Sequence, residues 1–130
     1  MTIDNEKTVI VDEQATAAYA HLFAALGDPT RLAVLQHLAA GPHRVRDLVE
    51  HMGFAQSTVS KHLAFLCECG LVQARPDGRS SWYSLAQPAL LGVLIASAEA
   101  TLQATGSRAV LCAHIRNLAA QTRSTGVGLS

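Results

Sequence analysis

The 130-residue sequence predicts a mainly α-helical fold with one small β-hairpin, for three reasons. Alanine and leucine are abundant and aromatic residues are few, which favours helices. Apolar residues recur at helical spacing in several segments that are bounded by glycine or proline. Two strand-like runs then surround an Asp-Gly turn. Short helices followed by a hairpin are typical of a winged helix-turn-helix, and we expect its first helix and its last long helix to mediate dimerisation.

The first two helices follow from apolar spacing and from the residues between them. The spacing predicts a first helix over Glu13–Leu26. Asp28 has the side chain of an N-cap, and Pro29 suits the first position of a helix. A second helix therefore begins there and runs to the Gly41-Pro42 break.

The next two segments predict the helix-turn-helix itself. Val45–Met52 is a short amphipathic segment that Gly53 closes. The segment that follows, from Gln56 to Gly70, places three apolar side chains on one helical face: Val59, Leu63 and Leu66. Its other faces hold short or flexible hydrogen-bonding side chains of the kind that reach base edges and phosphates. The candidate DNA-binding residues in this helix are Gln56, Ser57, Thr58, Ser60, Lys61 and His62.

The predicted hairpin forms the wing. Leu71–Arg75 and Ser80–Leu85 have strand composition, and Pro76-Asp77-Gly78 between them predicts the turn, because Asp-Gly supplies positive φ at low cost. Arg75 and Arg79 flank this turn, so we expect them to lie near the phosphate backbone or in a minor groove.

The C-terminal third predicts a long helix from Pro88 to about Thr105 and a final helix over Ser107–Gln121. The long helix has an apolar stripe too large for a small module to bury alone, and the first helix has the same excess, which predicts a homodimer. The chain thus divides into a flexible tail (1–13), a winged helix-turn-helix DNA-binding and dimerisation domain (14–105), a C-terminal helix or arm carrying Cys112 (106–121) and a disordered tail (122–130).

Charge and motifs exclude several classes of protein. Net charge is zero, but four acids and one base lie in residues 1–13, which leaves nine bases and six acids in the rest of the chain, a surplus of three. No apolar run reaches the roughly 20 residues of a bilayer span, and the polar start does not resemble a signal peptide, so we expect a cytoplasmic protein without a membrane partner. We see no paired carboxylates, no nucleophile with a base and no Gly-rich phosphate loop, so we expect neither an enzyme nor a small organic substrate.

The chain resembles the ArsR/SmtB family of metal-responsive winged-helix repressors. The resemblance covers roughly residues 15–105 and is carried by 23–32, 57–66, Gly70-Leu71-Val72 and Gly78-Arg79 leading to 82–85. It implies a homodimer that binds operator DNA when metal-free. It also implies that metal binding releases the protein from the DNA. Two typical metal sites of the family are missing: 43–48 lacks a Cys-x-Cys, and the last long helix has only Glu99 among Asp, Glu and His.

The sequence is most similar to the CmtR-type cadmium/lead sensors, which use two cysteines of the recognition helix and one from the C-terminal region of the partner subunit. Cys69 and Cys112 match this pattern. The first cysteine of the pattern does not match. The sensors space their helix pair Cys-x-x-x-Cys, but the residue four before Cys69 is Phe65. Cys67 as a ligand is therefore our own inference. On a regular helix, residues i and i+2 point about 200° apart, so Cys67 and Cys69 can chelate one ion only if the last turn unwinds.

Three thiolates suit soft Cd²⁺ or Pb²⁺ and would also hold As³⁺, whereas tetrahedral Zn²⁺ would need another donor, such as His114 or water. Inert buried thiols are the alternative. The sequence leaves open that the same fold senses arsenic, zinc or thiol oxidation, or senses no metal. A rival of another class is a small helical enzyme or a protein–protein module that merely carries a helix-turn-helix. The histidines His21, His37, His43 and His51 share no spacing, and we expect them at the surface.

Overall fold

The computed structural model describes residues 8–120 and confirms the predicted mainly helical fold with a two-stranded hairpin. The predicted tail over 122–130 and most of the one over 1–13 lie outside the described residues. The described elements are, in order, α1 (Glu13–Leu26), α2 (Pro29–Ala39), α3 (Val45–Met52), α4 (Gln56–Glu68), β1 (Val72–Asp77), β2 (Ser80–Leu85), α5 (Pro88–Ala104) and α6 (Ala113–Arg116).

Local capping fixes where the helices of the helix-turn-helix begin and end. The Asp28 carboxylate accepts a hydrogen bond from the Arg31 backbone N–H at 3.0 Å, so α2 begins as predicted. At the end of α4, Leu71 N–H donates to the Leu66 carbonyl and Gly70 N–H to the Cys67 carbonyl, both at 3.0 Å. Gly70 has a φ of 80°, which completes a Schellman motif and confirms the predicted stop.

The core lies between α2, α3 and α4 and extends to β1, α5 and the C-terminal segment. Its fully buried large side chains are Leu35, Leu48, Leu63, Leu66, Ile115, Val34 and Val59. The predicted apolar stripe of α4 therefore faces the core, which turns the polar side of this helix outward.

The wing turns later than predicted. Asp77 pairs with Ser80, so the two-residue loop is Gly78-Arg79, with Gly78 at a φ of 63°. Pro76 lies inside β1 opposite Ser81 rather than in the turn. A strand with an open edge tolerates proline where the missing N–H would point away from the partner strand.

The wing is tied to the helical body at its base. His43, in the connection between α2 and α3, exchanges backbone hydrogen bonds with Tyr83 of β2, at 3.0 and 2.8 Å. The hairpin is therefore held against the start of α3, beside the recognition helix α4.

The C-terminal segment corrects the predicted helix over Ser107–Gln121. Residues 107–112 have no regular structure, so the helical part begins only at Ala113, where α6 is four residues long and 118–120 are again helical after a turn at Asn117. The Cys112 backbone N–H donates to the Gln36 side-chain oxygen at 2.9 Å, and Arg116 pairs with Glu99 at 2.8 Å. Contacts with α2 and α5 therefore hold this segment in addition to its few helical hydrogen bonds, such as that from Asn117 N–H to the Ala113 carbonyl.

Large apolar side chains on α1 and α5 face outward in the single chain. Tyr19 and Phe23 are 66% and 54% exposed, and Leu90 and Val93 are 66% and 55% exposed. Only Ala25 of α1 is buried. The apolar excess expected from the sequence is thus present on both helices. No helix in residues 8–120 combines the length and apolarity that crossing a bilayer requires.

We predict that Gly92→Ala destabilises the fold, although alanine is favoured in a helix by about 1 kcal/mol. A Cβ at Gly92 would lie 2.6 Å from the Ala119 nitrogen and 2.8 Å from the Leu118 Cβ. The C-terminal segment must shift away from α5 to make room, which should lower the free energy of unfolding in urea by about 1–3 kcal/mol. The exposed Ser97→Ala on the same helix is the control and should not lose stability. Equal stability of Gly92→Ala and the wild type would contradict this packing.

Candidate DNA interface and metal ligands

The outer face of α4 presents the predicted DNA-binding side chains at its N-terminal half. Gln56, Ser57 and Lys61 are exposed, and Thr58 and Ser60 are half-buried. Their surface lies opposite the buried apolar stripe, as in a recognition helix. Arg75 and Arg79 are exposed on the wing. The structure leaves the DNA contacts of these residues as a prediction.

A cleft joins the wing to the helix-turn-helix. It is lined by Arg44, Val45, Arg46, Gln56, Arg79, Ser80, Ser81 and Tyr83. Three arginines therefore surround one concave surface between the recognition helix and the wing, which suits a phosphate backbone. Arg44 and Arg46 were not predicted from the sequence, because their proximity to the wing depends on the backbone bridge between His43 and Tyr83.

The two arginines from the start of α3 differ in their partners. Arg44 donates from Nε and Nη2 to the Asp47 carboxylate at 3.1 and 3.2 Å, and its guanidinium lies 4.8 Å from the Trp82 ring centre. Hydrogen bonds from Arg44 lower the pKa of Asp47 to about 2. Arg44 is therefore held by an ionised acid, whereas Arg46 is exposed and is the better candidate for a phosphate contact.

His62 belongs to a network behind the recognition face. Its Nδ1 lies 3.2 Å from Arg31 Nη1 and 3.9 Å from Asp28 Oδ2. The His62 side chain is 17% exposed. Its packing against α2 gives it a structural role in addition to the DNA contact that the sequence predicts.

The two cysteines of α4 lie at the C-terminal end of the recognition helix. Cys67 is half-buried and packs against the core. Cys69 is the C-cap, and its N–H donates to the Phe65 carbonyl at 3.0 Å, so the last turn is regular rather than unwound. Cys69 also lines a surface depression whose other wall is α1, with Ala17, Ala18, His21 and Leu22.

Cys112 lies against a different helix. Its Sγ is 4.0 Å from the Gln36 carbonyl oxygen on α2, and it shares a depression with His37 and His114. Among residues 8–120 of one chain, no three His, Cys, Asp or Glu side chains are arranged to hold a metal ion. A site made of all three cysteines therefore needs either a rearrangement of one chain or a thiol from another.

Both thiols of α4 are biased towards the protonated form. Burial raises the pKa of Cys67. Burial and the neighbouring Glu68 carboxylate raise the pKa of Cys69, and Arg31 opposes this in part. A metal ion that binds these sulfurs must therefore displace protons.

Known proteins share both the sequence and the architecture. Residues 28–74 match the family described as "Bacterial regulatory protein, arsR family". The regulator CmtR of Mycobacterium bovis is 42% identical over 82 residues, which cover 63% of this chain and 70% of CmtR. The chain belongs to the arsR family. It is therefore a transcriptional regulator and not an enzyme, as the sequence predicted.

Other relatives are named for different resistance operons. A "Probable mercury resistance operon repressor" of Streptomyces lividans is 46% identical over 69 residues, which are 53% of this chain and 55% of that protein. The chain thus spans little more than half the length of this relative. An "Arsenical resistance operon repressor" of Staphylococcus aureus is 42% identical over 60 residues, 46% of this chain and 58% of that protein.

Solved arsR-family structures have the same fold. Apo-NmtR covers 87% of this chain and 92% of its own, with 34% identity and a TM-score of 0.56. The winged helix-turn-helix domain of Mb0332 from Mycobacterium bovis, described as homodimeric, covers 81% of this chain and 98% of its own, with 25% identity and a TM-score of 0.63. These likenesses confirm the predicted winged helix-turn-helix.

We predict that Arg46→Ala weakens DNA binding through the loss of a phosphate contact. Affinity for DNA from the region upstream of the gene should fall, and the dependence of log K on log salt should become shallower by about 1 per chain. Fluorescence anisotropy at several salt concentrations measures both. Arg108→Ala is the control, since it removes the same charge after α5, outside the lining of the cleft. A similar change in both variants would show a general charge effect instead.

Proposed function

We propose that the chain is a homodimeric repressor that binds operator DNA when metal-free and releases it when a soft metal ion, Cd²⁺ or Pb²⁺, binds Cys67, Cys69 and Cys112. The observation that supports this most strongly is the position of Cys69. It caps the helix that presents the DNA-binding side chains, and its depression is walled by α1. A ligand there contacts the recognition helix at its base.

A dimer is supported by the exposed apolar side chains of α1 and α5 and by the homodimeric relative Mb0332. The same dimer offers a source for the third thiolate. In one chain Cys112 lies against α2 and Cys69 faces α1, so the two sulfurs have different surroundings. We propose that Cys112 of the partner subunit completes the site, as the resemblance to the cadmium/lead sensors implies.

The switch would act through the last turn of α4. Cys67 and Cys69 point about 200° apart on this regular helix, so one ion can bind both sulfurs only when the turn opens. Opening breaks the bond from Cys69 N–H to the Phe65 carbonyl and the Schellman bonds around Gly70. Coupling of about 1–3 kcal/mol, roughly 5–150-fold in DNA affinity, is usual for such linkage.

The first test is fluorescence anisotropy of the reduced protein on DNA from its own upstream region, with and without stoichiometric Cd²⁺ at fixed salt. Tight binding that Cd²⁺ weakens tenfold or more supports a soft-metal repressor. Tight binding that Cd²⁺ does not affect overturns the cadmium assignment and directs the same assay to Pb²⁺, arsenite, Zn²⁺ and oxidants. The absence of DNA binding in either state would overturn the repressor function.

We predict that Cys69→Ser removes the response to cadmium without weakening metal-free DNA binding. Serine has nearly the size of cysteine but is a poor ligand for a soft ion. The Cd²⁺ concentration that releases half of the bound DNA should rise at least tenfold. Glu68→Gln, which changes the residue between the two cysteines, should keep the response. An unchanged cadmium response in Cys69→Ser would exclude this residue from the site.

We also predict that cadmium affinity rises with pH. The pKa values of Cys67 and Cys69 are raised, so both thiols are protonated at neutral pH and each releases its proton on binding. The apparent association constant should rise by up to about tenfold per pH unit for each proton displaced. A chelator competition between pH 6 and pH 8 measures this slope, and Cys69→Ser should reduce it. A flat profile would contradict thiolate ligation.

A further inference from the structure

Three histidines that lie apart in the sequence meet where α2 and α3 end. His37 is in the last turn of α2, His43 is in the connection to α3, and His51 is in the last turn of α3. The ring centres are 5.6 Å apart for His37 and His51, 6.2 Å for His37 and His43, and 5.5 Å for His43 and His51. The expected surface position holds for exposed His51, whereas His37 and His43 are half-buried, and the sequence did not predict that the three meet.

The hydrogen bonding of His43 prepares one ring nitrogen for a metal. His43 Nδ1 lies 2.7 Å from the Gly41 carbonyl oxygen, which can only accept, so Nδ1 carries the proton. In the neutral ring, Nε2 then presents a lone pair. A histidine ligand commonly has this arrangement, with its other nitrogen donating to a backbone carbonyl that fixes the tautomer and the ring orientation.

The position of the cluster at two helix ends also favours a bound cation. Burial and the nearby His51 and His43 lower the pKa of His37, as expected where three imidazoles crowd together. His37 and His51 both lie at the C-terminal ends of their helices, where the backbone carbonyls give a partial negative charge. The Asp47 carboxylate, which lies near His43, is paired with Arg44.

We propose that His37, His43 and His51 form a second metal site, for a divalent late first-row ion, with Zn²⁺ as the best fit. Imidazole suits Zn²⁺, and three such ligands leave one position of the tetrahedron to water. Three rings on one tetrahedral ion have centres about 5 Å apart, given zinc–nitrogen bonds of about 2.0–2.1 Å. The observed separations are within 1.2 Å of this value.

Binding requires the rings to turn. His37 and His51 are stacked with their planes 22° apart, and His43 meets them edge-on at 71° and 79°, so the three rings do not present nitrogens to one common point in these orientations. The side chain of His51 is exposed and can rotate. The site shares no ligand with the cysteine set, and its preference for nitrogen-binding ions differs from that of three thiolates.

A bound ion would fasten three parts of the fold together. His37 belongs to α2 and His51 to α3, and His43 exchanges backbone hydrogen bonds with Tyr83 at the base of the wing. Zn²⁺ should therefore raise the temperature of unfolding, because it binds the folded chain and not the unfolded one.

The test uses the full chain with all three cysteines changed to serine, so that thiolate ligation is absent. We expect calorimetry to show one Zn²⁺ per chain, with affinity at least tenfold weaker in an added His51→Gln and unchanged in an added His21→Gln, an exposed histidine outside the cluster. Equal affinity of both variants, or no binding, would overturn the site. Anisotropy on DNA tests the cysteine-based switch separately, since that switch does not need His51.

A second measurement avoids dependence on the folding of the cysteine-free chain. In the reduced wild type, proton–nitrogen correlation spectra of the imidazole rings should show Zn²⁺ shifting the signals of His37, His43 and His51 while His21 stays in place. Zinc shifts confined to His114 would instead place the ion beside Cys112 and would overturn the proposal.

Discussion

The guanidinium of Arg31 is the interaction on which the arrangement of the helices depends. It donates to the carbonyls of Ala24 and Ala25 at the end of α1, at 2.6 and 3.0 Å, from its place in the first turn of α2. The same group lies 4.2 Å from the ring centre of Phe65 and 3.2 Å from the ring nitrogen of His62. The single charge of Arg31 thus connects α1, which has the exposed apolar face, to α4, which presents the DNA-binding side chains.

This connection gives the cysteines a physical route to both surfaces. Cys69 follows Phe65 by one helical turn and is hydrogen-bonded to its carbonyl. A distortion of that turn therefore moves the ring on which Arg31 rests, and through Arg31 the end of α1. The proposed metal switch needs only this short path, because Phe65, Cys67 and Cys69 all lie within two turns at the end of α4, beside α1.

The parts of the fold that depend on residues close together in the sequence were predictable. The Asp28 cap, the Gly70 stop and the apolar stripe of α4 are local signals, and each predicted a boundary or face correctly. The wing turn was misplaced, since Pro76 suits a turn as well as an edge strand. The histidine cluster and the position of Arg46 were missed, because both depend on contacts between distant segments for which the sequence has no periodic signal.

Pro76 also protects the wing from pairing with other chains. Tyr83 uses its backbone groups on His43, so by strict alternation the pair of Pro76 and Ser81 is one whose backbone groups point away from the partner strand. The proline therefore costs the hairpin no ladder bond, and it removes a donor from the outer edge of β1. A two-stranded sheet held out toward solvent is an open template for intermolecular strand addition. With proline on this edge, the wing can stay exposed without pairing with strands from neighbouring molecules.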